Sequence, residues 1–283
     1  MAPPSFSDLS KDANDLYNKD FNFGSVKAEL KTKAQLLDSE FKSSGSHDME
    51  TGRAAADVEV KRSFRDYGIT LTNKWKTSNA ITAEVAIEDR LAKGLKNSFE
   101  INFEPNTGKR SAKVKTGFKR ANVNTALDLE FKTNFPTVLS SAVFGYQNFF
   151  AGASVGFDTE RQKLTKLSYG AAFQVKDLSL YAGVENSSNY CASAYHRLSR
   201  GLEAGLKLCY SGSSHAADLG VAAKYRLNDG SAFKLRLNNR SLLGSSYSFQ
   251  VRDGFRVTMS SNLDCKNLGG GGHQLGLAFC FEP

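Results

Sequence analysis

No stretch of this chain is apolar for long enough to form a membrane-spanning helix, which needs about 20 consecutive apolar residues. Proline is scarce as well, with five in 283 residues; there is one tryptophan, and almost nothing after residue 25 has a helical period. That poverty of helix excludes the α/β enzymes usual at this length, whose strands alternate with helical segments. No domain boundary and no repeat of about 40 residues is visible, which speaks against two soluble sandwiches or a propeller. Reactive constellations are missing too. Cys191, Cys209, Cys265 and Cys280 have no CxxC spacing, and their scatter argues for neither a zinc site nor a disulfide framework, so they read as packing thiols. His47, His196, His215 and His273 form no i,i+4 pair and have no matching carboxylate, so no metal site and no catalytic residue is assigned. The run Gly269-Gly270-Gly271-Gly272 lacks the Lys-Ser/Thr and helix of a phosphate-binding loop and reads as a turn.

What the chain has in abundance is alternation. In Val26-Lys27-Ala28-Glu29-Leu30-Lys31-Thr32-Lys33 the even positions are apolar or Thr and the odd ones charged. The same period of two returns in Ile81 to Glu88, Leu95 to Phe103 and Ala112 to Thr116, so each segment has one apolar and one polar face as a strand. Segments of about 8 to 11 residues, the length a tilted strand needs to cross a hydrocarbon layer of ~30 Å, are separated by turn signals. Those signals include Ser44-Gly45-Ser46, Asn106-Thr107-Gly108, Asn186 to Asn189 and Asp253-Gly254. An open sheet would leave edge N–H and C=O groups unpaired in lipid at several kcal/mol each, so the pattern predicts one closed transmembrane β-barrel. The mean hydropathy of -0.39 fits, because half of every strand would be the wall of a water-filled lumen.

Parity places Lys27, Lys31, Lys61, Lys74, Lys96, Lys113, Lys115, Lys207, Lys224, Lys234, Arg236 and Arg256 on that wall. Facing the same way are Glu29, Asp57, Glu59, Glu84, Glu88, Glu100, Asp128, Glu130 and Glu203. With 37 basic against 29 acidic residues and a net charge of +8, the lumen should favour anions moderately, since both signs are interspersed and salt screens them over ~8 Å. The cations are spread along the chain without a clustered patch or binding motif, which argues against nucleic acid as a partner. Lys11, Lys19, Lys96, Lys113 and Lys115 are the candidates for selectivity.

The first stretch departs from the strand pattern. Ser5 to Lys19 puts Phe6, Leu9, Ala13, Leu16 and Tyr17 on one helical face, opposite Asp8, Lys11, Asp12, Asp15 and Lys19, with Ser5 or Ser7 available as a cap. The segment is too short and too charged to span a bilayer, lacks the order of a secretory signal, and has three Asp and no Arg where a mitochondrial presequence would be Arg-rich. Periodicity leaves two placements open, on a membrane surface or inside the pore. Gly24 is the natural hinge, dividing the chain into residues 1–24, helix and hinge, and 25–283, barrel.

Several motifs together resemble the voltage-dependent anion channel family, the eukaryotic mitochondrial porins. They are Met1-Ala2-Pro3-Pro4 with Ser7-Asp8-Leu9, Tyr67 to Thr77, Gly94-Leu95-Lys96, Pro105 to Lys109, Ala222-Ala223-Lys224-Tyr225, and Gly271 to Leu277. The likeness runs from end to end and extends to the total length. It implies about nineteen strands closed by a parallel pair of first and last, a helix in the lumen, and passage of ATP, ADP, phosphate and other metabolites through the mitochondrial outer membrane with voltage-dependent closure. It further implies roles for Lys11, Asp15 and Lys19 in gating and phosphate contact, and for Lys96 toward nucleotide. Leu242, Leu243, Gly244, Ser260, Leu263 and Asp264 match a proposed NAD-contact region, from which Ser261 and Asn262 depart. ATP and NAD would be weakly held ligands rather than cofactors. The strand Gln274 to Phe281 looks like the sorting signal of outer-membrane barrels.

Two departures mark a divergent member. Asn73 stands on the lipid-facing parity of the fourth strand where many relatives carry a glutamate, so carbodiimide labelling and the part of that carboxylate in hexokinase docking should be lost or reduced. Between helix and barrel, relatives often carry several glycines; here Asp20, Phe21, Asn22 and Phe23 leave only Gly24, which should restrain the helix. The resemblance also brings apoptotic regulators as partners, and a scaffold that binds them with little conductance is the rival reading. A protein-translocation barrel of the same superfamily would carry a longer N-terminal extension. An uncharged lipid face permits, without requiring, homo-oligomers.

Overall fold

The computed structural model describes residues 2–34, 38–90, 92–131 and 135–282. A single turn of 3-10 helix, Phe6–Asp8, leads into α1, Lys11–Asn18. The strands that follow are β1 Ser25–Ala34, β2 Ser39–Asp48, β3 Ala54–Phe64, β4 Ile69–Lys76, β5 Ile81–Glu88 and β6 Leu95–Glu104. Then come β7 Lys109–Lys119, β8 Val123–Phe131, β9 Pro136–Tyr146, β10 Phe149–Asp158, β11 Lys163–Val175, β12 Leu178–Glu185 and β13 Asn189–Arg197. The last six are β14 Leu202–Ser211, β15 Ala216–Arg226, β16 Ala232–Asn238, β17 Leu242–Arg252, β18 Phe255–Asp264 and β19 Gln274–Phe281.

Each strand pairs antiparallel with the next, and the 19-stranded sheet closes where β1 meets β19 in parallel, Val26 opposite Leu277 and Leu30 opposite Phe281. An odd number of alternating strands leaves its first and last pointing the same way, so closure requires one parallel pair. Ten residues rising ~3.3 Å each and tilted ~45° cover about 23 Å, close to the apolar band of an outer-membrane barrel.

The two faces follow the predicted parity. Leu30, Phe41, Val58, Trp75, Ile101, Leu127, Phe144 and Phe149 are exposed on the outside, as a lipid-facing surface requires. Asn73 is exposed in the same row, opposite Val60 on β3 and Ala83 on β5. Tyr146 and Phe149 flank the tight turn at Gln147, which has a positive φ of 53°, and set aromatic rings at one rim of the barrel.

Three sequence expectations need correction. Ser44-Gly45-Ser46 is not a turn; it lies within β2, because its hydroxyls alternate inward around an outward Gly45, and Ser44 Oγ donates to Asp57 Oδ1 on β3 at 2.6 Å. The helix is not continuous from Ser5 to Lys19, and Ser5 does not cap it: Ser5 Oγ donates instead to Asp8 Oδ2 at 2.6 Å, and the helix proper begins at Lys11. Cys191 and Cys209 are not lone packing thiols but form a disulfide between β13 and β14.

Candidate functional site in the barrel lumen

An eight-residue helix is marginal in water by itself, so its order comes from what it packs on. Its apolar side is laid on the polar-parity, inner face of the barrel, which settles the placement that periodicity left open. Leu9 is fully buried in a cluster with Val143, Phe150, Ala172 and Tyr181, against which Phe6 also packs. Burial of such a leucine contributes roughly 1.5–3 kcal/mol. Ala13 and Leu16 are buried behind it, with Leu16 against Gly205 and Tyr17 against Gly220. Burial raises the Tyr17 phenol above its ordinary value against the opposing pull of Arg236, so it stays neutral at neutral pH. At the start of the chain, Asn124 Nδ2 donates to the carbonyl of the buried Pro3 at 3.0 Å.

Polar side chains of the wall hold the rest of the segment. Lys207 Nζ donates to Asn14 Oδ1 at 2.9 Å. Lys234, with its side chain 6% exposed, pairs with Asp20 at 2.8 Å and donates to the Lys19 carbonyl at 3.2 Å. Ser246 Oγ donates to the Asp20 carbonyl at 2.8 Å, and the Asn22 amide donates to Ser260 Oγ at 3.1 Å. Arg236 is the centre of this anchorage: its guanidinium lies 5.2, 4.7 and 4.6 Å from the ring centroids of Tyr17, Phe21 and Phe23, and Nη1 donates to the Tyr17 carbonyl at 3.1 Å. Phe21 and Phe23, in the linker between helix and barrel, thus supply two sides of an aromatic cage.

Gly24, expected from the sequence to be a hinge, is tied at both of its backbone polar groups. Gly24 has φ +63°, its N–H donates to the Leu275 carbonyl at 2.9 Å, and its carbonyl accepts from Met49 N–H at 2.8 Å. Just before it, the backbone at Asn22 rests on Gly276, where a Cβ would collide with the Asn22 carbonyl oxygen.

The polar side of the helix, with Lys11, Asp12, Asp15 and Lys19, is exposed to the lumen. Lys11 is 3.7 Å from Asp8. Lys19 borders a cleft of about 570 Å³ whose other cations are Lys27, Lys31 and Arg256, with Asp20, Glu29 and Glu282 interspersed. Asp15 and Lys19 border a second, of about 300 Å³, with Arg197, Glu203, Lys224 and Arg226. The remaining selectivity candidates are on β6 and β7 and are paired across strands: Lys96 with Glu88 at 3.3 Å, Lys113 with Glu130 at 3.7 Å and Lys115 with Glu100 at 2.7 Å. The same holds elsewhere on the wall for Lys74 with Asp57 at 3.1 Å and Lys42 with Glu29 at 2.9 Å. Neither cleft includes Lys11 or Lys96, so the residues assigned to nucleotide are not gathered in one place.

The residues that the resemblance assigned to NAD are gathered on adjacent strands but divided between faces. Leu242 is opposite Asp264 and Leu243 opposite Leu263, so Leu243 and Leu263 point outward while Gly244, Ser260 and Asp264 share the inner parity. Inside, Gly244 is covered by Arg236 and Phe23, and Ser260 is engaged by Asn22 and Gly276.

Sequence reasoning missed the Arg236 cage and the disulfide. The second had a signal. One hairpin register pairs Asn189 with Ser211 and Arg197 with Glu203, and it brings Cys191 opposite Cys209.

The sequence profile of the eukaryotic porins matches residues 2–276. The chain is 39% identical over 280 residues to the non-selective voltage-gated ion channel VDAC2 of Meleagris gallopavo, covering 99% of this chain and 94% of that protein. Against VDAC2 of Xenopus laevis the identity is 39%, and against VDAC1 of Homo sapiens 36%, each covering 99% of both chains. An end-to-end match of this kind, on a closed barrel with its N-terminal helix docked on the inner wall, places the chain in the eukaryotic porin family.

Proposed function

We propose that this chain is a voltage-gated, weakly anion-selective diffusion pore of the mitochondrial outer membrane that passes ATP, ADP, inorganic phosphate and other small metabolites. As a porin it is a channel and not an enzyme. The observation that carries the selectivity is the pairing pattern of the inner wall. Lysines 74, 96, 113 and 115 each have a carboxylate within 3.7 Å, so their fields are largely cancelled at a distance. Lys27, Lys224 and Arg256, by contrast, make no ion pair among the described residues and border the clefts beside the helix. A few unbalanced cations in a wide, salt-screened lumen raise anion concentration modestly without tight binding, which is what a diffusion pore needs. Relatives named non-selective channels fit a preference of that size.

Within this reading Lys19 is the nucleotide-contact residue supported best, since Lys27, Lys31 and Arg256 share its cleft and give a polyphosphate several cations at once. Lys11 and Lys96 act as transient contacts along the lumen, and Asp15 sets the local balance of charge on the helix. The purified protein in a planar bilayer under a KCl gradient should show a large conductance, a modest chloride-favouring reversal potential and closure at high voltage of either sign. A folded, β-rich preparation without conductance would overturn the pore reading and favour the scaffold.

A further inference from the structure

Beneath the first turn of α1, the inner wall carries a group that diffusion does not require. Cys191 and Cys209 are directly opposite in the β13–β14 ladder, with Cα atoms 4.2 Å apart and a disulfide between them. Both are on the inner parity, the face that also carries Lys207 and its hydrogen bond to Asn14 of the helix. Cys191 packs on the cluster that buries Leu9. A gap of about 60 Å³ separates the sulfurs from the helix and is bordered by Ser10, Asn14, Tyr181, Glu185 and Lys207. Cys265 and Cys280 are free and belong to other parts of the chain.

We propose that Cys191–Cys209 is a thiol–disulfide exchange site of the lumen whose reaction partner is a small soluble thiol of the glutathione class, and that its state controls how firmly the N-terminal helix is docked. Its position decides the partner. The sulfurs face the lumen and are half-buried under the helix, on a wall that small solutes of the pore reach and the active site of a protein reductase does not. In the exchange, one small thiolate attacks a protein sulfur, forming a mixed disulfide and releasing one cysteine thiolate. A second small thiolate attacks the small-molecule sulfur of that mixed disulfide. The products are the oxidised small-molecule disulfide and two cysteines; two electrons have passed to the protein, and the two protons of the small thiols end on Cys191 and Cys209. Two unbonded sulfurs need more room than a bonded pair. The room available is the gap under Ser10 and Asn14, so reduction pushes on the helix where Leu9 and the Lys207–Asn14 bond hold it.

The test uses the full chain with Cys265→Ser and Cys280→Ser in lipid nanodiscs, equilibrated with mixtures of reduced and oxidised glutathione. Thiols are counted with a maleimide, and trypsin cleavage at Lys11 and Lys19 is followed in parallel. The expected result is no thiol at the oxidised end and two at the reduced end, a midpoint that follows the square of reduced over oxidised glutathione, and at least fivefold faster cleavage in the reduced state. Adding Cys191→Ser and Cys209→Ser should give fast cleavage that glutathione no longer changes. A thiol coupled to a dextran too large for the lumen should leave the pair oxidised. Two thiols at every ratio, reduction by the dextran thiol at the glutathione rate, or cleavage that ignores the redox state would each overturn the proposal. Access through the lumen rests on the pore reading, so conductance is recorded on the same preparation: a conducting protein with an unreactive pair refutes the exchange site alone, and a non-conducting one refutes the pore.

Discussion

Removal of the Arg236 guanidinium should loosen the linker without disturbing the barrel. Three rings lie 4.6–5.2 Å from the cation, and Nη1 donates to the Tyr17 carbonyl at 3.1 Å. One half-buried cation shared among three rings contributes about 1–2 kcal/mol rather than three full increments. A hydrogen bond from a charged donor adds about 1.5 kcal/mol at the lower end of its range, because the site is wet on one side. The total, about 2.5–3.5 kcal/mol, corresponds to a change of about a hundredfold in the docking equilibrium. Arg236→Ala should therefore speed exchange of the Asn22 amide, which donates to Ser260 across the docked interface, by about two orders of magnitude, while strand amides of β15 and β17 keep their protection. Arg236→Lys should recover less than half of the effect, since an ammonium cannot stack its plane against three rings. The measurement is hydrogen–deuterium exchange resolved to residues 10–24. If protection of Asn22 changes by less than threefold in Arg236→Ala, the cage is not what holds the linker, and Lys234–Asp20 with the Ser246 and Ser260 contacts carries it instead.

Other expectations follow from the same contacts. Gly276→Ala puts a methyl against the Asn22 carbonyl, and overpacking of this sort costs about 1–3 kcal/mol; loss of Asn22 protection with an intact barrel circular-dichroism spectrum would show it. The double variant Lys115→Gln/Glu100→Gln removes a closed pair and should leave the reversal potential where it was, whereas Lys27→Gln or Arg256→Gln should shift it toward cations, read under a salt gradient. Asn73→Glu should create a carbodiimide-labelled residue on the outer face of β4 that the parent chain lacks, detected by mass spectrometry. The turn between β15 and β16 should be acid-sensitive. Asp229 accepts from Ser231 Oγ at 2.6 Å and from its N–H at 3.0 Å, and these bonds hold its carboxyl below the ordinary value. A depressed carboxyl gives stability that is complete above the ordinary carboxylate range of ~3.9 and is lost as pH falls through the lower, folded value, so protection of the Ser231 amide should fall only in that acid window.

The barrel was legible in the sequence because a strand's side chains alternate with a fixed period of two, and the alternation from Val26 to Phe281 needs no partner to be recognised. Parity therefore put Asn73 outside and Lys96, Lys113 and Lys115 inside, and the helical spacing of Phe6, Leu9, Ala13 and Leu16 marked the face that is buried. Periodicity says which face of an element is apolar and nothing about what covers it. The placement of the helix was decided only by closure of the sheet, which put Val143, Phe150 and Tyr181 under Leu9. Contacts over more than two hundred positions, such as Arg236 with Tyr17 and Ser246 with Asp20, depend on which strand stands beside the docked segment, and no local pattern carries that. The cysteines lie between these cases. Their spacing along the chain was uninformative, but the register of one hairpin joined them, since strands fix their neighbours' positions residue by residue once the turn is known. Sequence alone determined the alternation, and with it the wall; the tertiary structure decided what the wall holds, because side chains on separate strands meet only when the sheet has closed.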